Sequence, residues 1–293
     1  MTKYFAKGSE NRYFSQKIQQ MTISSDLNIE EWVNNKLMRG KNAFSLDELR
    51  IEYPNHTEIA LKYALIRLSG KGKILSIHKG YYLIITPQYA SKGVLPPTLF
   101  LDGLMKFLGR PYYISLLNAA VFHGSSHQAP QEFFVMTIFP VLRPTAKKGI
   151  KINYISRKEI NISLLETRQT ESGYLLLSNP ILTAADLVQF EKRVGGLTRV
   201  ANILHDFIDQ IKPESVTKEL IEYVHITTIQ RLGYLLDEVI KSTTLADTLY
   251  FALTDYTTRI RPVVLKASLP TKSLFSDNRW RVVVNTDIEP LHS

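Results

Sequence analysis

The chain has 293 residues, 44% hydrophobic and 22% charged, with 36 Lys and Arg against 27 Asp and Glu and no cysteine. These fractions describe a folded chain able to bury a core and exclude wholesale disorder. The missing cysteines exclude disulfides, a thiolate zinc site and a cysteine nucleophile. The positive excess is uneven: basic residues outnumber acids 14 to 8 over residues 1–92 and 22 to 19 over the rest. That asymmetry fits a polyanion-facing module joined to a body with another task, against the alternative of a generally basic soluble protein. The charge-free stretch from Tyr112 to Gln131 contains Asn, His and Ser. Nothing in the chain reaches the roughly 18 apolar residues of a membrane span. The N-terminal lysines precede no apolar h-region, so a cytoplasmic location is expected.

Residues 1–26 are rich in Lys, Ser, Gln and Asn without an apolar period and read as a loose extension, with Met21 as an alternative start. Asp26 or Asn28 then caps a helix with Glu30 and Glu31 in its first turn and Trp32, Val33, Leu37 and Met38 as apolar positions, ended by Gly40. Ser45 with Glu48 has capping-box spacing and opens a short helix that stops at Pro54. A third helix is expected from near Asn55 to Ser69, with Leu61, Leu65 and Leu68 as its buried stripe. Residues 73–78 and 81–85 read as two strands around a Lys79-Gly80 turn. Three helices and a hairpin make a winged helix-turn-helix over residues 27–92, with the third helix as reader and the hairpin as wing.

Pro96-Pro97 marks a boundary, and residues 97–293 read as a larger mixed α/β domain, so the fold class is α+β. Expected helices cover 99–109, 112–122, 184–194, 197–211, 220–224 and 229–240. Expected strands cover 133–139, 150–155 and 174–177, with terminal strands or extended coil at Val263, Leu265 and 280–284.

Reaction chemistry is scarce in this sequence. There is no phosphate-binding G-x-x-x-x-G-K-[ST], and Gly70-Lys71-Gly72 reads as a helix cap and turn. His123 and His127 have a spacing that could serve a metal on a helix, but Gly124-Ser125-Ser126 argues for a structural polar loop. No G-x-S-x-G nucleophile elbow and no Glu-x-Lys of a metal-dependent nuclease occur. Asp186 with Glu191 and Lys192 reads as the solvated face of a helix. No catalytic residue, cofactor or metal is therefore expected.

The basic module offers recognition instead. Asn55, His56 and Thr57, then Lys62 and Tyr63, would face base edges from the third helix, and Asn can pair with adenine bidentately. Arg67, Lys71, Lys73 and Lys79 would meet phosphates at the helix end and wing. Ile59, Tyr63 and Ile66 form a second apolar ridge on the same helix, which leaves room for a packing partner there.

Residues 45–85, with Leu65-Ile66-Arg67-Leu68-Ser69-Gly70-Lys71-Gly72-Lys73-Ile74 and Lys79-Gly80-Tyr81-Tyr82, resemble the N-terminal winged helix of AbiEi-type antitoxins. Tyr112-Tyr113-Ile114-Ser115 through His123-Gly124-Ser125-Ser126-His127-Gln128-Ala129-Pro130-Gln131 resembles that family's most recognisable segment. So do Ser178-Asn179-Pro180-Ile181-Leu182-Thr183-Ala184-Ala185-Asp186-Leu187, Gly195-Gly196-Leu197 and Gln230-Arg231-Leu232-Gly233-Tyr234. The resemblance implies the antitoxin of a type IV toxin–antitoxin, or abortive infection, pair in phage defence. It implies repression of the operon through double-stranded operator DNA and antagonism of a cognate nucleotidyltransferase-like toxin without a stable complex. Arg193 and Arg199 are candidate antitoxicity residues. The alternatives are a winged-helix regulator or adaptor without that role, or a DNA-guided nuclease.

Overall fold

A computed structural model describes residues 29–125, 130–270 and 278–288; the expected extension over residues 1–26, Ser126 and His127 lie outside these. The chain forms two units, the first running to Leu108 with residues 147–150 and 170–173, the second taking the remainder.

In the first unit, α1 (residues 29–38) leads to β1 (Ala43–Ser45), α2 (Leu46–Glu52), α3 (Glu58–Gly70) and the hairpin β2 (Ile74–His78) and β3 (Tyr81–Ile84). The capping box closes as its spacing predicts: Ser45 Oγ accepts from Glu48 N at 3.0 Å and Glu48 Oε1 accepts from Ser45 N at 3.1 Å. The three strands lie in the order β1-β3-β2, with Phe44 opposite Tyr82 and Leu75 opposite Leu83. Gly80 takes a φ of +79° at the hairpin turn, a conformation that a side chain would strain. Ile29, Val33, Phe44, Leu49, Leu61, Leu65, Leu68 and Ile84 form the core, and Trp32 meets Phe44 edge-on at 5.2 Å. This is a winged helix-turn-helix, followed by α4 (Leu101–Phe107).

The third helix starts later than its sequence suggested. Pro54 and Asn55 form a turn, and Thr57 is the cap, its Oγ1 accepting from Ala60 N at 3.2 Å. Asn55 and His56 therefore precede the helix rather than occupy its first turn.

The second unit is built on a six-stranded sheet in the order β6-β7-β5-β4-β9-β8. These strands are β4 (Tyr112–Ile114), β5 (Phe133–Ile138), β6 (Thr145–Lys147), β7 (Ile150–Arg157), β8 (Leu165–Thr170) and β9 (Gly173–Ser178). β5 runs parallel to β7 and antiparallel to β4, and β4 runs parallel to β9. The helices are α5 (Leu116–Phe122), α6 (Pro180–Gln189), α7 (Glu191–Val194), α8 (Leu197–Phe207), α9 (Lys218–Tyr223), α10 (Ile226–Tyr234) and α11 (Thr243–Tyr256). They share one core with the sheet, in which Tyr113, Met136, Leu187, Phe207, Leu232 and Trp280 are essentially inaccessible. Short strands β10 (Val263–Val264) and β11 (Val282–Val283) pair in parallel.

Residues 112–122, expected as one apolar helix, instead form β4, a break at Ser115 and α5. An apolar run buried on both faces has no period that separates strand from helix, and here Tyr-Tyr-Ile joins the middle of the sheet. Leu116 absorbs the change of direction at φ +55°. α6 begins at Pro180, earlier than expected, because Asn179 Oδ1 accepts from Leu182 N at 2.9 Å and proline suits the first helical position. α11, β1, β6 and β8 have no counterpart in the sequence reading.

Trp280 fixes the far end of the second unit. Its Nε1 donates to Asp237 Oδ2 at 2.9 Å, and its carbonyl accepts from Gln230 Nε2 at 2.8 Å. The indole lies on Gly233 of α10, where a Cβ would overlap three ring carbons. Gly233→Ala gains about 1 kcal/mol of helix propensity and meets overpacking at or above the upper end of about 1–3 kcal/mol. We expect a net loss near 2 kcal/mol, read as a lower Tm in thermal unfolding. Gly70→Ala, whose Cβ meets nothing within 4 Å, should leave Tm level or higher.

Candidate functional site

Two regions bring sequence-predicted residues together. On the first unit, α3 buries Leu61, Ala64, Leu65 and Leu68 and leaves Lys62, Tyr63 and Arg67 exposed. Asn55 and Thr57 are exposed just before it, whereas His56 is half-buried, edge-on to Tyr53 at 5.4 Å, with Nδ1 unpartnered. Lys79 stands exposed at the tip of the wing.

Acids hold several of the module's cations. Glu30 in the first turn of α1 accepts from both Lys71, at 2.9 Å, and Lys73, and the two ammonium groups hold its carboxyl below the usual range. Arg50 bridges Asp47 at 2.6 Å and Glu58 at 2.6 Å, and Lys36 pairs with Glu48. Pairs so open to water contribute little to stability, but those of Glu30 offset positive charge at Lys71 and Lys73, where the sequence places phosphates. One face of the wing is also covered: Phe107 of α4 lies 5.1 Å from Tyr81 and 6.1 Å from His78, and Lys147 donates to the Ser76 carbonyl at 2.6 Å.

On the second unit, Arg193 at the end of α7 and Arg199 in α8 share a cleft of about 350 Å³ with Leu117, Pro130, Gln131, Glu132 and Phe134. The turn at Gly195-Gly196 between the two helices sets them together, and Arg199 folds back across Gly195. Glu132 in the same cleft is held by Lys151 at 2.5 Å and Asn153 at 2.6 Å, which lower its carboxyl below the usual range. The two arginines thus share one cleft with the apolar side chains of Leu117, Pro130 and Phe134, and guanidinium groups suit an anionic partner.

Asp186 corrects the sequence reading: it is wholly buried rather than part of a solvated helix face. It accepts from Ser115 Oγ at 2.6 Å, from Tyr113 Oη at 3.1 Å and from Arg157. The Arg157 guanidinium lies 5.3 Å from the rings of both Phe190 and Tyr223. Burial pushes the Asp186 carboxyl up, while Arg157 and the two hydroxyls hold it toward the carboxylate. The signal was present in sequence, since a lone acid inside Ile181–Val188 needs a buried cationic partner. With Tyr113, Ser115 and Asp186 all inaccessible and Arg157 nearly so, this cluster joins elements of the fold. Among the described residues, no group of three or more His, Asp or Glu is placed to hold a metal ion, and no helix is long and apolar enough to cross a membrane.

His123 is buried, and its Nε2–H donates to the Ser178 carbonyl at 2.8 Å, beside the Phe207 ring. A carbonyl only accepts, so Nε2 carries the proton of the neutral ring. Burial holds the imidazole below its ordinary value. The neutral form is thus favoured in the folded state, and His123 contributes stability that is complete above about pH 6.5 and lost as pH falls toward the folded value. Denaturant unfolding of the parent from pH 7.5 to 5 should show this decline, and His123→Gln should lose that component of it.

Residues 113–238 match the family model described as the AbiEi antitoxin C-terminal domain. No curated protein matches the chain significantly. In fold, the chain is similar to the crystal structure of the RV2827C protein from Mycobacterium tuberculosis, with a TM-score of 0.60 at 15% identity over 85% of this chain and 88% of that one. Over residues 113–238 the chain is thus similar to the AbiEi antitoxin C-terminal domain, and this similarity supports an antitoxin role in a toxin–antitoxin system.

Proposed function

We propose that this protein is a cytoplasmic antitoxin that also represses its own operon. Its first unit binds inverted repeats in duplex operator DNA, and its second unit counteracts a nucleotidyltransferase-like toxin in phage defence without a stable complex between the two. The observation that carries the reading is the antitoxin-domain match over residues 113–238. The winged helix with an exposed α3 supports the DNA half, since that architecture places its third helix in the major groove. No catalytic residue is assigned.

In this reading Arg67 and Lys79 approach phosphates, Asn55, His56 and Tyr63 lie near base edges, and Lys62, placed by its sequence position at base edges, moves to the bordering phosphates because it stands on a flank of α3. Thr57 acts through its cap, which sets where α3 begins. Lys71 and Lys73 contribute less than their number suggests, because Glu30 already holds them. Arg193 and Arg199 act together in antitoxicity from their shared cleft.

That ion pairing also favours a second reading, a winged-helix adaptor that binds proteins and ignores nucleic acid. A gel shift on the region upstream of the gene separates the two, with binding expected. Lys79→Ala should weaken binding and flatten the salt slope by about 0.9, while Lys71→Ala with Lys73→Ala should change it less. An unshifted duplex would reject DNA recognition. In cells expressing the neighbouring toxin gene, Arg193→Ala with Arg199→Ala should lose rescue. Full rescue by that variant, at equal protein level, would remove the cleft from antitoxicity.

A further inference from the structure

The outer face of α3 is apolar and exposed. Leu61, Ala64, Leu65 and Leu68 are buried along one side of this 13-residue helix. At 3.6 residues per turn, Ile59, Tyr63 and Ile66 fall together on the opposite side. They are 67%, 59% and 64% exposed. The same rotation sets Lys62 on one flank of the ridge and Arg67 on the other, both exposed. A helix packed on one side ordinarily turns polar residues to water, so this ridge calls for an occupant that is apolar along its centre and anionic along its edges.

The major groove at thymine-bearing steps has that layout. Thymine C5 methyl groups project from the groove floor, and a phosphate backbone borders each side. The groove is about 12 Å wide and admits one α-helix. A second copy of the chain fits less well, because a twofold contact through the ridge would bring the same cationic flanks toward one another.

We infer that Ile59, Tyr63 and Ile66 read thymine methyl groups, with Lys62 and Arg67 reaching the bordering phosphates. The inference rests on the duplex-binding reading above and names what α3 recognises. Specificity then comes as much from apolar contact as from hydrogen bonds, and the half-sites carry thymines where α3 docks.

The test uses the full-length protein and two fluorescent duplexes covering the region upstream of its gene. They are identical except that deoxyuridine replaces every thymine in one, which keeps the base pairing and removes only the methyl groups. The parent should bind the deoxyuridine duplex about tenfold more weakly, the effect of losing two buried methyl contacts. The variant Ile59→Ala, Tyr63→Ala, Ile66→Ala should bind both duplexes alike, near the weaker value. Because these side chains lie in solvent, its Tm should match the parent's. Equal parent affinity for both duplexes, with Lys79→Ala weakening both, would overturn the inference and leave duplex binding standing. Binding to neither duplex would overturn both. A dimer seen in sedimentation and dispersed by the triple variant would assign the ridge to self-association and overturn the inference.

Discussion

The second unit is organised around the buried carboxylate of Asp186. It joins Tyr113 of β4, Ser115 at the strand-to-helix break, Arg157 of β7 and its own helix α6 through hydrogen bonds. Arg157 extends the contact to Gln189 at 3.1 Å and to the rings of Phe190 and Tyr223. A buried ion pair gives up much of its attraction to desolvation, yet removing one partner strands the other and costs about 3–5 kcal/mol. Its consequence is therefore geometric: sheet and helices close in the arrangement that satisfies every donor to Asp186. The abrupt turn at Leu116 belongs to the same arrangement, since it follows the residue whose hydroxyl Asp186 accepts.

The first unit follows a different rule, in which exposed charges are matched rather than displayed. Glu30, Glu48 and Glu58 each engage a lysine or arginine, so the basic composition of the N-terminal region overstates its available positive charge. The residues that remain most clearly outward on α3 are apolar, with cations at their margins. On the duplex-binding reading we propose, such a surface discriminates by shape and methyl contact, with long-range attraction in a supporting role.

Local signals were read where local chemistry decides structure. Ser45 and Glu48 announced their helix because a capping box is a contact between residues three apart. Lys79-Gly80 announced the wing because only a few residue types accept the turn's positive φ. The start of α3 is ambiguous in sequence because Asn55 and Thr57 are both good caps, and the turn at Pro54 decides between them. Residues 112–122 look like one helix in sequence because burial on all sides erases the period that distinguishes strand from helix. The arginines of the candidate cleft were visible as residues, but their meeting depends on the turn between α7 and α8 and on β5 beneath it.

From sequence alone came the winged helix-turn-helix, the mixed body that follows it and the antitoxin resemblance, all carried by short-range spacing and motif. Tertiary structure alone decided which charges are neutralised, that Asp186 is the buried centre of its unit, and that the second apolar stripe of α3 lies in solvent. The physical reason is separation along the chain: Glu30 meets Lys71 and Lys73, and Asp186 meets Tyr113 and Arg157, across distances in sequence that no local pattern spans.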